Sequence, residues 1–245
     1  MDGRLVIWHT NDMHGRLSRP VAERLRALRE GTPGSLLLDA GDALAAGNIL
    51  WRRREPVLGM MRLAGYTAMC LGNREFHVWR MGFASKLRDC PHPVLATNLR
   101  SRSRPLPKVV RASMVTEASG GTRVGLLGLT VPMVTRSMSA ARMSHYLFED
   151  PVEAAWEMVE QLRGQCELVI AVTHLGLRRD RELLAQVPGI EIVVGGHSHT
   201  PLSDPEMHEG RCIVQSKPYA KAVGRVEVEV RRGRVKVLGG ELLAL

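Results

Sequence analysis

Five short apolar runs in this 245-residue chain each stop at a cluster of glycine and metal-competent side chains, and this repetition constrains the fold more than any other feature. The clusters are Asp12-Met13-His14, Gly41-Asp42, Gly72-Asn73-Arg74-Glu75, Thr173-His174 and Gly195-Gly196-His197-Ser198-His199-Thr200. The last follows the run Ile190 to Val194, so its two histidines read as ligands at a strand's carboxyl end. In an open α/β sheet, ligands collect in the crevice outside the carboxyl ends of the strands. Five such ends, though far apart in the chain, can therefore meet at one site.

Apolar runs of strand length alternate with helical patterns, which predicts a layered α/β architecture. The expected strands are Leu5 to Trp8, Ser35 to Leu38, Ala68 to Leu71, Val94 to Thr97, Val124 to Leu129, Leu168 to Thr173 and Ile190 to Val194. Two helices carry clear signals. Pro20 to Glu30 begins after Ser18 and stops at Gly31, and Pro151 to Arg163 begins after Asp150 and stops at Gly164. The final stretch, Ile213 to Gln215, Val223 to Val230 and Val235 to Leu238, contains the strict alternation of half-exposed antiparallel strands, with Gly233 as a hairpin turn. Arg100 to Pro105 is expected to be a mobile surface loop too short to separate domains. Residues 1–245 then form a single domain with ample length for a core.

The formal charge is +9, and 29 of the 34 basic residues are arginine. Such a field suits an anionic partner, a phosphate or a nucleic acid, although an arginine-rich codon bias gives the same composition. Basic clusters at Arg52 to Arg54, Arg100 to Arg104, and Arg178-Arg179 with Arg181 are candidate anion contacts, whereas Arg231-Arg232 with Arg234 looks like a solvated turn. No nucleic-acid module accompanies them, so that partner is not favoured. Cys70, Cys90, Cys166 and Cys212 lack Cys-x-x-Cys spacing and are expected to be reduced and structural. The run after Met1-Asp2-Gly3-Arg4 is too short for a secretory segment, and no apolar stretch reaches membrane-spanning length. A cytoplasmic location without membrane contact is the expectation.

One such cluster alone is weak evidence, since an Asp-x-His is commonly a turn with a capping aspartate. Together they offer seven oxygen or nitrogen donors and no thiolate, a set suited to manganese, iron or zinc. In this order they resemble the calcineurin-like metallophosphoesterase superfamily, whose pattern is Asp-x-His, Gly-Asp, Gly-Asn-His-Glu, a histidine, then Gly-His-x-His. The resemblance runs through nearly the whole chain. Thr10 to Gly15, Gly72 to Phe76 and Tyr219 to Val230 look most like the catalytic domain of the 5′-nucleotidase branch. It implies a four-layer fold, two mixed sheets flanked by helices, and two divalent metal ions. By that resemblance Asp12, His14 and His199 hold one ion, Asn73, His174 and His197 the other, and Asp42 bridges them. A hydroxide between the metals would then attack the phosphorus of a small phosphorylated substrate, a monoester or a diester.

The pattern breaks at Arg74. Arginine replaces the histidine that contacts substrate phosphate, and His77 stands where the nucleotidase branch has the orienting aspartate. A guanidinium can hold phosphate bidentately but cannot donate a proton near neutral pH. Arg74 is therefore expected to clamp the phosphate, with His77 either supplying the proton or taking no part. The plainer alternative pairs Arg74 with an acidic neighbour and makes His77 a helix cap. The branch's base-stacking carboxyl-terminal domain has no counterpart before Leu245, which leaves Trp51 or Trp79 as candidate base platforms, although burial or capping is the commoner role. Two other activities fit less well: a cyclic-nucleotide phosphodiesterase or nuclease, and a degenerate scaffold. Against the scaffold stands the complete ligand set, which is costly to pack unpaired.

Overall fold

The computed structural model describes residues 2–47, 52, 54–231 and 234–245. Trp51, Arg53, Arg232 and the Gly233 turn lie outside the described residues. Two mixed sheets dominate the fold. The first has seven strands in the order Arg234–Ala244, Ala222–Arg231, Asp2–Thr10, Leu36–Asp39, Ala68–Cys70, Val94–Leu95 and Val110–Arg111. The second has six, in the order Glu206–His208, Arg211–Val214, Ile192–Val194, Leu168–His174, Arg123–Thr130 and Ser113–Glu117. A small antiparallel pair, Leu99–Ser101 with Tyr146–Phe148, stands apart.

Three apolar clusters produce the four layers. Leu5, Ile7, Leu38 and Val228 from the first sheet meet Leu126, Ile170, Val172 and Val194 from the second. On the outer face of the first sheet, Trp8, Leu37 and Met69 pack against helices Arg19–Glu30, Pro56–Ala64 and Arg80–Lys86. On the outer face of the second, Leu127, Ala171 and Val193 pack against helices Pro151–Leu162 and Leu177–Gln186. Strands buried on both faces read as continuous apolar runs, as Leu168–His174 does. The inner strands are parallel, so Asp2–Thr10, Leu36–Asp39 and Ala68–Cys70 all end on one edge. Leu168–His174 and Ile192–Val194 are likewise parallel to each other in the second sheet.

Several expectations shift. The predicted strand to Thr97 ends at Leu95, because Thr97 turns away: its N–H donates to the Gly128 carbonyl and its hydroxyl to Ala112. Arg211–Val214 pairs in parallel with Ile192–Val194, not only antiparallel as the alternation suggested. Arg100 and Ser101 belong to a strand, and Arg100 pairs with Glu149 at 2.7 Å, so the loop expected there begins only at Arg102. The Pro151 helix has the expected cap, Asp150 accepting from Val152 and Glu153, but it ends at Leu162. The other starts at Arg19, and Ser18 makes no side-chain cap. Among the described residues no helix is long and apolar enough to cross a membrane. The four cysteines are free, and burial pushes the Cys90 and Cys212 thiols up to about 12, which leaves them unreactive.

Gly128 marks a close approach of the sheets: a Cβ there would fall inside contact distance of the Leu95 backbone. Gly128→Ala should therefore destabilise the fold by about 1–3 kcal/mol through overpacking. A urea midpoint equal to wild type would contradict this packing. Glu191 gives a pH prediction. Burial raises its carboxyl from 4.5 to about 7, against the lowering hydrogen bond from the Val169 N–H. A group raised on folding stabilises fully below 4.5, and that contribution is lost as pH rises through about 7. Glu191→Gln should gain stability relative to wild type across that window and run parallel to it outside, as read from urea unfolding at a series of pH values.

Candidate metal centre

The loops leaving the strands of the first sheet are zipped together before any ligand is considered. Asp12 N–H donates to Gly41 O at 2.9 Å, His14 N–H to Asp42 O at 2.9 Å, and Gly15 N–H to Ala43 O at 2.7 Å. Gly15 has φ +75, and a Cβ there would strike Ala45, so only glycine lets the loops run this close. Glu75 ties in the third loop. Its carboxylate accepts from Asp42 N–H and Gly72 N–H, each at 2.9 Å, and from Leu44 N–H at 3.0 Å. Asp42 answers by accepting from Arg74 N–H at 2.8 Å.

The second sheet brings its loops to the same point. His197 N–H donates to Asp12 Oδ2 at 2.9 Å, across 185 residues of chain. Asn11 also donates to Asp12 Oδ2, at 2.8 Å, and its own amide oxygen accepts from Ser216 N–H at 2.8 Å. Gln215 is buried under the histidine loop. In the amide orientation that satisfies both ends, it donates to Ser198 Oγ and accepts from His199 N–H and Thr200 N–H. Tyr219 packs edge-on against the rings of His14 and His199, with Arg16 over its face.

Six of the seven predicted ligands, all but Asn73, are linked by short distances. His199 Nε2 lies 3.2 Å from Asp12 Oδ1, and His14 Nε2 lies 3.8 Å from the same oxygen. Asp42 presents Oδ2 to His14 at 3.6 Å and Oδ1 to His174 Nε2 at 3.5 Å. His197 Nδ1 stands 3.2 Å from His174 Nε2. His174 Nδ1 faces Ala40 O at 2.8 Å; a proton there directs the Nε2 lone pair into the centre. Two triplets, Asp12-His14-His199 and Asp12-Asp42-His174, each bring three donor atoms within 4.8 Å of one another.

Three observations test whether these residues suit metal ions. Asp12 Oδ1, His14 Nε2 and Asn73 Oδ1 are buried polar atoms with no hydrogen-bond partner among the described residues, a costly arrangement unless something else binds them. The donors are carboxylate, amide and imidazole, which fits borderline divalent cations. Finally, Asp12, His14, Asp42, His197 and His199 all have φ between 49 and 73. Such left-handed backbone costs about 1–3 kcal/mol per residue and persists where the surroundings impose it. Burial works against the Asp42 charge, but the hydrogen bond and charge of His174 bring its carboxyl to about 2. By the same pairing His174 rises to about 9 despite its burial.

Arg74 and His77 part company. The Arg74 guanidinium stays at the centre, donating to Ala45 O at 3.0 Å with Nε 3.9 Å from Asp42 Oδ2. His77 is 2% exposed, and its Nδ1 accepts from Trp79 N–H at 2.9 Å, at the start of helix Arg80–Lys86. Its ring lies where a Cβ on Gly82 would collide with it. Trp79 is 52% exposed. Of the arginines read as candidate anion contacts, Arg178 pairs with Glu182 and Arg181 with Glu206, both at 2.6 Å. Sequence reasoning missed the supports. Glu75 stood in the motif without a role, Gln215 stood only as the end of an expected strand, and Lys86 received no reading.

The profile of the Calcineurin-like phosphoesterase family matches residues 5–201, and the chain belongs to that family. It is 28% identical to the trifunctional nucleotide phosphoesterase protein YfkN of Bacillus subtilis strain 168, over 91% of this chain and 18% of that protein. It is 30% identical to rat 5′-nucleotidase, over 80% of this chain and 38% of that protein. Among solved structures, the 5′-nucleotidase precursor of Thermus thermophilus superposes with a TM-score of 0.82 at 27% identity, covering 99% of this chain and 55% of that one. The chain thus spans little more than half the length of these proteins, or less.

Glu75 should be indispensable to this arrangement. Glu75→Ala leaves three backbone donors unpaired at about 1–3 kcal/mol each. Calorimetry should also show manganese binding weakened about 10- to 100-fold, the usual effect of losing an outer support. Wild-type stability and affinity in this variant would mean that the loops are held by something else.

Proposed function

We propose that the chain is a two-metal phosphoester hydrolase acting on a small phosphorylated metabolite or nucleotide. Family membership makes metal-dependent hydrolysis of phosphoric esters the reaction class. The observation that carries the two-metal reading is the concentration of left-handed backbone at five of the seven candidate ligands, which also converge in space. Asp12, His14 and His199 would hold one ion and Asn73, His174 and His197 the other. Asp42, with one oxygen toward His14 and one toward His174, would serve both. Manganese, iron and zinc all suit this donor set. Bound there, such ions supply charge neutralisation for the phosphoryl oxygens and acidify water.

The protein's own contribution is positioning and charge. Arg74, 28% exposed beside Asp42, would clamp a phosphoryl oxygen while remaining cationic at every working pH. His77 is assigned to holding the start of its helix, not to proton transfer. The pairing of Arg178 and Arg181 with carboxylates speaks for a small substrate over a polyanion. The test is turnover of 4-nitrophenyl phosphate and its bis-ester by manganese-loaded protein, with chelation as control. Hydrolysis should vanish on chelation, and Asp42→Asn should lower kcat/KM by more than about 100-fold, beyond the range for outer supports. A protein binding fewer than two manganese ions and hydrolysing neither ester would overturn the proposal. His77→Ala turning over at the wild-type rate is also expected, whereas a loss confined to kcat would restore its catalytic role.

A further inference from the structure

Lys86 is 1% exposed, and it closes the helix Arg80–Lys86. Its ammonium donates to three backbone carbonyls: Arg74 at 2.6 Å, Gly47 at 2.7 Å and Phe76 at 3.0 Å. A lysine ammonium has three donors and no acceptor, so every donor is used. Burial lowers it to about 8, against the raising charges of Glu75, Glu55 and Asp42, and at neutral pH the ammonium form prevails.

The three carbonyls belong to two loops. Arg74 and Phe76 flank Glu75 on one, and Gly47 follows Asp42 on the other. The Arg74 guanidinium rests on that second loop, through its bond to Ala45 O at 3.0 Å. Lys86 therefore grips both the backbone from which the Arg74 side chain departs and the segment on which its far end lies. Arginine has a long flexible stem, and bidentate phosphate binding demands a set plane for its fork. A short, stiff histidine at this position would need far less restraint.

We propose that Lys86 is the positioning residue for Arg74, holding the loops after Asp42 and Asn73 at the separation that aims the guanidinium into the metal centre. This rests on the reading of Arg74 as the phosphate-binding side chain. The alternative is a staple that stabilises the fold and leaves Arg74 indifferent.

The test is a double-mutant cycle in the full chain, loaded with manganese, with 4-nitrophenyl phosphate as the probe. Lys86→Gln should lower kcat/KM about 10- to 100-fold, the scale of an ångström misplacement at a reacting centre. In an Arg74→Ala background the same change should alter it by less than about twofold, since the two losses share one cause. A second arm is independent of turnover. The Arg74 side-chain Nη1–H resonance, assigned by its absence in Arg74→Ala, should be protected from solvent exchange in wild type by the bond to Ala45 O and lose that protection in Lys86→Gln. Where Lys86→Gln does not fold, Lys86→Arg, which keeps the charge but moves the donors, carries the same two expectations. Equal losses in both backgrounds, or an unaltered Arg74 resonance, would overturn the proposal. If wild type hydrolyses neither ester, the functional reading above fails, and the resonance still decides whether Lys86 holds Arg74.

Discussion

The polar edge of this molecule depends on one buried carboxylate. Glu75 collects backbone N–H groups from the loops of Asp42 and of Gly72, and through Asp42 it is joined to the loop of Asp12 and His14. Burial and the charge of Asp42 both raise its pKa, against the lowering hydrogen bonds from Leu44 N–H and Asp42 N–H and the charge of His174. A short carboxylate accepting from several loops does what a strand would do, but at the end of a sheet where strands have run out. Donor side chains can then be presented by strained backbone without the loops springing apart.

That strain and the orphaned polar atoms are complementary. Left-handed backbone at Asp12, His14, Asp42, His197 and His199 turns successive side chains inward, and its conformational cost is offset by the packing of two sheets behind them. A buried carboxylate oxygen and imidazole nitrogen without partners among the described residues add to the cost. In a fold whose stability is a small difference between large terms, such a concentration of unfavourable features marks a place kept for a ligand. The departure at Arg74 belongs to the same logic, because the guanidinium lies within the zipped loops and not outside them.

The fold class was legible because burial leaves a periodic trace. Leu168–His174 and Arg123–Thr130 are apolar almost throughout, and Val226 to Val230 alternates, so their existence and sidedness were readable. Edges were less so. Thr97 continues an apolar run in sequence but makes its hydrogen bonds to Gly128 and Ala112 beyond the strand, and Arg100 looks like a loop until Leu147 is seen to pair with it. The candidate ligands were readable as strand-end clusters. Their supports were not: Gln215, Asn11 and Lys86 act on partners distant in the chain or through backbone atoms, which carry no side-chain signature.

By itself the sequence determined which residue types stand at the strand ends, and hence the chemistry available there, since donor identity is a local property of the chain. Only the tertiary structure decided that Asp42 reaches both His14 and His174, that His77 turns to a helix while Arg74 stays at the centre, and that Lys86 has an inside. Those outcomes depend on how two sheets register against each other, and that distance is set by packing between residues far apart in the chain, such as Gly128 and Leu95.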